Sequence, residues 1–89
     1  MRLLIVEDEK KLCDTIAKTL YQAGYEVDTC YDGDEALDYI LAENYDLIVL
    51  DLNLPGTDGM DILKELRKEN EETKVLILSA RSRLWIRLK

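Results

Sequence analysis

The chain contains no histidine, which removes every histidine-based triad, imidazole metal ligand and histidine general base from consideration. Its two cysteines, Cys13 and Cys30, stand seventeen positions apart. That spacing lies outside any C-x-x-C pattern, so they read as small core hydrophobes in a reducing compartment rather than as a zinc or redox pair. Long apolar runs are also missing. The stretch Leu3-Leu4-Ile5-Val6 stops at Glu7 after four residues, too short for a signal-peptide core or a spanning helix. A cytoplasmic protein with no membrane association is expected. Neither G-x-x-x-x-G-K nor G-x-G-x-x-G occurs, so nothing indicates a nucleotide-cradling loop. Positive charge is scarce too, with 12 Lys and Arg against 19 Asp and Glu for a net −7. Such a surface repels phosphate backbones and excludes nucleic acid and anionic lipid as partners of this domain.

What is present suffices for one domain, since 89 residues with 47% hydrophobic content make one compact core and not two. Short apolar runs alternate with amphipathic stretches, the pattern of a parallel sheet covered by helices. Leu3 to Val6, Leu47 to Leu50 and Val75 to Leu78 read as strands buried on both faces. Tyr25 to Cys30 alternates and reads as an edge strand with one wetter face. Leu12, Ile16 and Leu20, widened by Cys13 and Ala17, predict a helix over about Lys10 to Ala23 that Gly24 ends. Asp32, three residues before Glu35, predicts the cap of a second helix carrying Ala36, Leu37, Ile40 and Leu41. Asp58 predicts the cap of a third, with Ile62, Leu63 and Leu66 inward and Asn70 to Thr73 as its exit loop. Pro55, Gly56 and Gly59 shape the loop before it, both glycines being expected to supply positive φ.

Right-handed crossovers and a sheet order of 2-1-3-4 bring the carboxyl ends of strands 1 and 3 side by side, below a crevice where the order reverses. Glu7 and Asp8 follow strand 1, Asp51 follows strand 3 and Ser79 follows strand 4. Three crowded carboxylates repel one another unless a cation intervenes. With no imidazole and no thiolate at this rim, the cation must be a hard, oxygen-preferring one, and few carboxylates with room for water favour Mg²⁺ over Ca²⁺. Position alone also allows Glu7 and Asp8 simply to open the next helix, where acids suit the dipole.

Asp51 lies within Leu50-Asp51-Leu52-Asn53-Leu54-Pro55-Gly56-Thr57-Asp58-Gly59, and with the Glu7-Asp8 pair and Ser79-Ala80 this run resembles the receiver domain of two-component response regulators, most of all those attached to winged-helix transcription factors. The resemblance implies an α/β, flavodoxin-like doubly wound parallel sheet. It implies Mg²⁺ bound by Glu7, Asp8, Asp51 and the backbone carbonyl of Asn53. It further implies that Asp51 accepts a phosphoryl group from a sensor histidine kinase, and that the Ser79 hydroxyl registers its arrival. On this view the chain is a phosphoacceptor and not an enzyme beyond self-catalysed phosphotransfer and dephosphorylation.

The resemblance ends at about Ser82, so residues 1–82 read as a partial receiver lacking the family's fourth helix, fifth strand and fifth helix. Residues 83–89 read as a non-family tail. No residue matches the family's fifth-strand lysine, and impaired activity is expected. All nineteen acids and eight of the twelve bases fall in residues 1–80, a net −11, whereas the tail holds +4 through Arg81, Arg83, Arg87 and Lys89. If extended, the tail puts Leu84, Ile86 and Leu88 on one face; a helix would join Leu84 and Leu88 instead. An uncovered fourth strand predicts self-association through that edge or the tail. Two competing readings are an inactive fragment that only self-associates, and a fragment of an aspartyl-nucleophile phosphohydrolase. The second wants an aspartate where Asn53 stands. The compositional break further suggests a shifted reading frame. Sequencing the coding DNA past Lys89 tests this: a receiver-like remainder in another frame is expected, and its absence ends the idea.

Overall fold

The computed structural model describes residues 1–78 and, for the backbone alone, residues 87–88. Its elements run β1 (Arg2–Val6), α1 (Lys10–Gln22), β2 (Glu26–Cys30), α2 (Gly33–Ala42), β3 (Leu47–Asp51), α3 (Gly59–Glu69), β4 (Lys74–Leu78) and β5 (Arg87–Leu88). The first four strands are parallel in the order β2-β1-β3-β4, the flavodoxin-like arrangement expected from the apolar runs. β5 adds two residues antiparallel to β4, with Leu88 opposite Leu76 and Arg87 opposite Ile77. The expectation of an open β4 edge is corrected at those two positions, because an antiparallel partner needs no long crossover.

Period-2 alternation sorts the strand residues between two cores. Leu4, Val6, Ile48, Leu50, Val75 and Ile77 pack under α2 and α3 with Cys30, Ala36, Ile40, Ile62 and Leu66. Ile5 and Val49 pack with Cys13 under α1, where Ile16, Ala17, Leu20, Leu76 and Leu78 are only partly covered. The cysteines thus lie on opposite faces of the sheet, both buried and unpaired. Two expected helix-stripe residues, Leu12 and Leu41, are exposed instead. Each sits one position beside the residue that enters the core, Cys13 and Ile40, and a 100° step carries it off the contact face.

Helix boundaries follow local chemistry. The Asp32 carboxylate accepts from the Glu35 amide at 2.8 Å and Asp58 from the Met60 amide at 2.9 Å, satisfying orphan donors as the caps require. Gly24 takes φ 101° just beyond α1. Gly59, by contrast, is not a positive-φ residue. It opens α3 so close to the preceding strand end that a Cβ would lie 3.0 Å from Leu52 Cα and 3.1 Å from the Asp51 carbonyl oxygen, so closeness and not handedness calls for glycine there.

Toward the amino edge of the sheet a polar cluster ties β1 and β2 to the segment that leads into β3. Tyr45 Oη donates to Asp28 Oδ2 at 2.7 Å, and the Arg2 guanidinium donates to the same oxygen at 3.0 and 3.2 Å. Burial alone would raise the Asp28 pKa, but these donors outweigh it and hold the carboxyl below its ordinary range. Asp28 therefore contributes stability above its ordinary pKa of 3.8 that is lost as pH falls through its lower folded value. Tyr45→Phe is expected to destabilise by about 1 kcal/mol at neutral pH, lowering the melting temperature by about 4–8 °C. The gap should narrow on acidification below pH 3.8. Thermal melts across pH check this, and equal melting at neutral pH contradicts it.

Candidate functional site

The parallel register sets the site. Val6 of β1 lies opposite Leu50 of β3, so one residue further on Glu7 comes level with Asp51, and Asp8 follows at the rim. Ligand atoms of Glu7, Asp8 and Asp51 all lie within 4.8 Å of one another. Glu7 and Asp51 are each only 6% exposed, while Asp8 faces solvent. The strand ends are fixed by backbone bonds, with the Glu7 amide donating to the Cys30 carbonyl at 3.1 Å and the Leu52 amide to the Leu78 carbonyl at 3.2 Å. The three acids open the crevice between β1 and β3, the point where the strand order reverses.

Electrostatically this is a strained arrangement. Burial, a hydrogen bond to Asp51 and the charges of Asp51 and Asp8 push the Glu7 carboxyl from its ordinary value near 4.5 up to about 8. A proton on Glu7 is therefore favoured over a third negative charge at the site. Among the described residues no lysine or arginine forms an ion pair with these carboxylates. A donor set made only of carboxylate oxygens, two of them buried and short of positive charge, suits a hard divalent cation able to take the proton's place.

Asn53, expected to lend its carbonyl, is tied to the site through its amide, which donates to Asp51 Oδ1 at 3.0 Å. That bond occupies one Asp51 oxygen and turns the chain sharply after β3. Ser79 lies outside the described residues. Reading the sequence did not single out Gly33, Asp34 or Thr57, which clamp the loop between Asp51 and α3. The Gly33 amide donates to the Pro55 carbonyl at 3.0 Å, and Thr57 Oγ1 donates to Asp34 Oδ1 at 2.6 Å. No periodicity signals a contact between residues 23 positions apart.

Known proteins match this chain along almost its whole length. The family model described as the response regulator receiver domain matches residues 3–88. The transcriptional regulatory protein DltR of Streptococcus agalactiae is 45% identical over 85 residues, covering 96% of this chain and 38% of the relative. The chain thus spans about two fifths of the length of the curated relatives it matches. Among solved structures, the response regulator TrrA of Thermotoga maritima, in complex with Mg²⁺ and beryllofluoride, superimposes with a TM-score of 0.82 at 38% identity, over 89% of this chain and 69% of that one. TrrA in complex with the histidine kinase ThkA gives 0.80 at 38% identity, over 89% and 68%. No helix among the described residues is long and apolar enough to cross a membrane. With its β2-β1-β3-β4 sheet, its acid cluster at the strand-order reversal and a family match from residue 3 to residue 88, the chain belongs to the response regulator receiver domain family.

Proposed function

We propose that the chain is the phosphoacceptor module of a two-component phosphorelay, taking a phosphoryl group on Asp51 from a sensor histidine kinase in the cytoplasm. The observation that carries this reading is the meeting of Glu7, Asp8 and Asp51 within 4.8 Å at the ends of adjacent parallel strands. The histidine kinase seen with TrrA supports the choice of donor. Residues 1–82 carry the chemistry on this reading, and Arg87 and Leu88 contribute edge cover as β5.

Carboxylates are poor nucleophiles toward phosphorus, because like charges repel and hydration must be shed. The protein removes part of that barrier by burying Asp51 and fixing its direction through the Asn53 amide, leaving one oxygen to form the O–P bond as the donor's P–N bond breaks. Glu7, Asp8, Asp51 and the Asn53 carbonyl would hold Mg²⁺, which when bound would supply the positive charge that both the carboxylate and the phosphoryl oxygens need. The Ser79 hydroxyl then turns toward the new phosphoryl oxygens as the local switch.

A second reading, self-association, is favoured by one feature. Leu76 and Leu78 are only partly covered on the α1 face, and β5 pairs only Leu76 and Ile77 of β4. A dimer is expected by sedimentation equilibrium at micromolar concentration, and a monomer contradicts it.

Two experiments test the chemistry. Incubation with acetyl phosphate and Mg²⁺ should add the mass of one phosphoryl group at Asp51, labile to hydroxylamine, and Asp51→Asn should add none; an unmodified wild-type chain overturns the proposal. The second uses pH. Because the Glu7 pKa is raised from about 4.5 to about 8, the folded metal-free chain binds more protons than the unfolded one between those values. Its stability is then full below the lower value and lost as pH rises through the upper. Glu7→Gln should flatten that loss. Since the cation competes with the Glu7 proton, Mg²⁺ affinity in the wild type should climb with pH and level off above about 8. Calorimetric titration at several pH values checks this, and affinity independent of pH contradicts it.

A further inference from the structure

We propose that Asp34 and Thr57 form a latch that positions the β3–α3 loop for metal binding, making the amino end of α2 a working part of the acid site. The inference rests on the Mg²⁺ reading above. The loop runs from Leu52 to Asp58. One end is held by the Leu52 amide on the Leu78 carbonyl at 3.2 Å, the other by the Asp58 cap on Met60 at 2.9 Å. Between these anchors the Asn53 amide is tied to Asp51 Oδ1 at 3.0 Å, and the stretch from Leu54 to Thr57, which follows the Asn53 carbonyl, is fixed from the side.

Three contacts from α2 do that. The Gly33 amide donates to the Pro55 carbonyl at 3.0 Å. Thr57 Oγ1 donates to Asp34 Oδ1 at 2.6 Å, a charge-assisted bond. Gly56 takes φ +79° with its Cα so close that a Cβ would stand 3.2 Å from Asp34 Oδ2. The surfaces meet so tightly that a Cβ on Gly33 would collide with the Thr57 carbonyl oxygen. Pro55, whose ring fixes its own φ, stands two residues after Asn53. Clamping Pro55 and Thr57 therefore limits the directions the Asn53 carbonyl can take, and affinity falls in proportion to any loss of the competent population. Asp34 and Thr57 do not touch the cation on this account; they act through the loop.

Mg²⁺ titration of the full 89-residue chain and its variants tests the latch, with amide hydrogen exchange in the metal-free protein as a second readout. Thr57→Val keeps the shape and loses the donor. It is expected to raise the Mg²⁺ Kd about threefold to tenfold and to speed exchange at the Asn53, Gly56 and Thr57 amides while leaving Leu4 to Val6 protected. Thr57→Ser should restore both. Asp34→Ala should match Thr57→Val, the double variant should be no worse than either single one, and Asp34→Asn, which keeps an acceptor oxygen, should fall between. Wild-type affinity in Thr57→Val, or a lower melting temperature with Kd and loop exchange unchanged, overturns the latch while leaving the metal reading intact. A wild-type chain that binds no Mg²⁺ overturns the metal reading, and the latch with it.

Discussion

Mutual repulsion among three carboxylates held by neighbouring strand ends is the constraint on which the structure's chemistry depends. Glu7 and Asp51 are buried and come level across the β1–β3 pairing, and the backbone leaves them no room to separate. Burial first, then the hydrogen bond to Asp51 and its charge, push the Glu7 carboxyl up to about 8, so a proton there is favoured over a further negative charge. A site that must hold either a proton or a cation is primed for the cation, because a divalent ion compensates more charge than a proton does. On the proposed function, sharing of that charge is what makes Asp51 usable as a nucleophile.

The sheet makes this possible by putting its stabilising and functional parts at opposite ends. Apolar residues fill β1 and β3 on both faces and β4 on the face under α2 and α3, and the parallel register fixes where their carboxyl ends meet. At the amino edge, Asp28 meets the hydroxyl of Tyr45 and the guanidinium of Arg2, a satisfied acid that contributes to holding the fold. At the carboxyl edge, no ion pair from a described lysine or arginine relieves the three acids. Two sets of carboxylates in one small domain thus take opposite roles, set by which neighbours the strands deliver.

Much of this was legible beforehand, for physical reasons that differ by element. Four-residue apolar runs fit buried strands, so β1, β3 and β4 were legible, with Glu7 just past β1 and Asp51 at the end of β3, although the α1 face of β4 is only partly covered. Asp32, Asp58 and Gly24 carry their capping roles in their own chemistry. Flank positions were harder: Leu12 and Leu41 belong to apolar stripes, yet their burial depends on what lies beside each helix, which periodicity does not encode. Gly59 was read for its handedness when its neighbour Leu52 was the reason. The contacts of Gly33 and Asp34 with the loop at Pro55 and Thr57 join distant segments through the tertiary fold. Alternation in the tail left strand and helix both open, and only the antiparallel pairing of Leu88 with Leu76 decided for the strand at that point.

Titrating Mn²⁺ into isotope-labelled protein, as a paramagnetic replacement for Mg²⁺, tests the proposal that Glu7, Asp8, Asp51 and the Asn53 carbonyl make one cation site. Amide signals of residues 7, 8, 51 and 53 should broaden first and together at substoichiometric ion, and recover when Mg²⁺ is added in excess. Broadening spread evenly over the exposed acids of α1, α2 and α3, with those four signals no more sensitive than the rest, would contradict it.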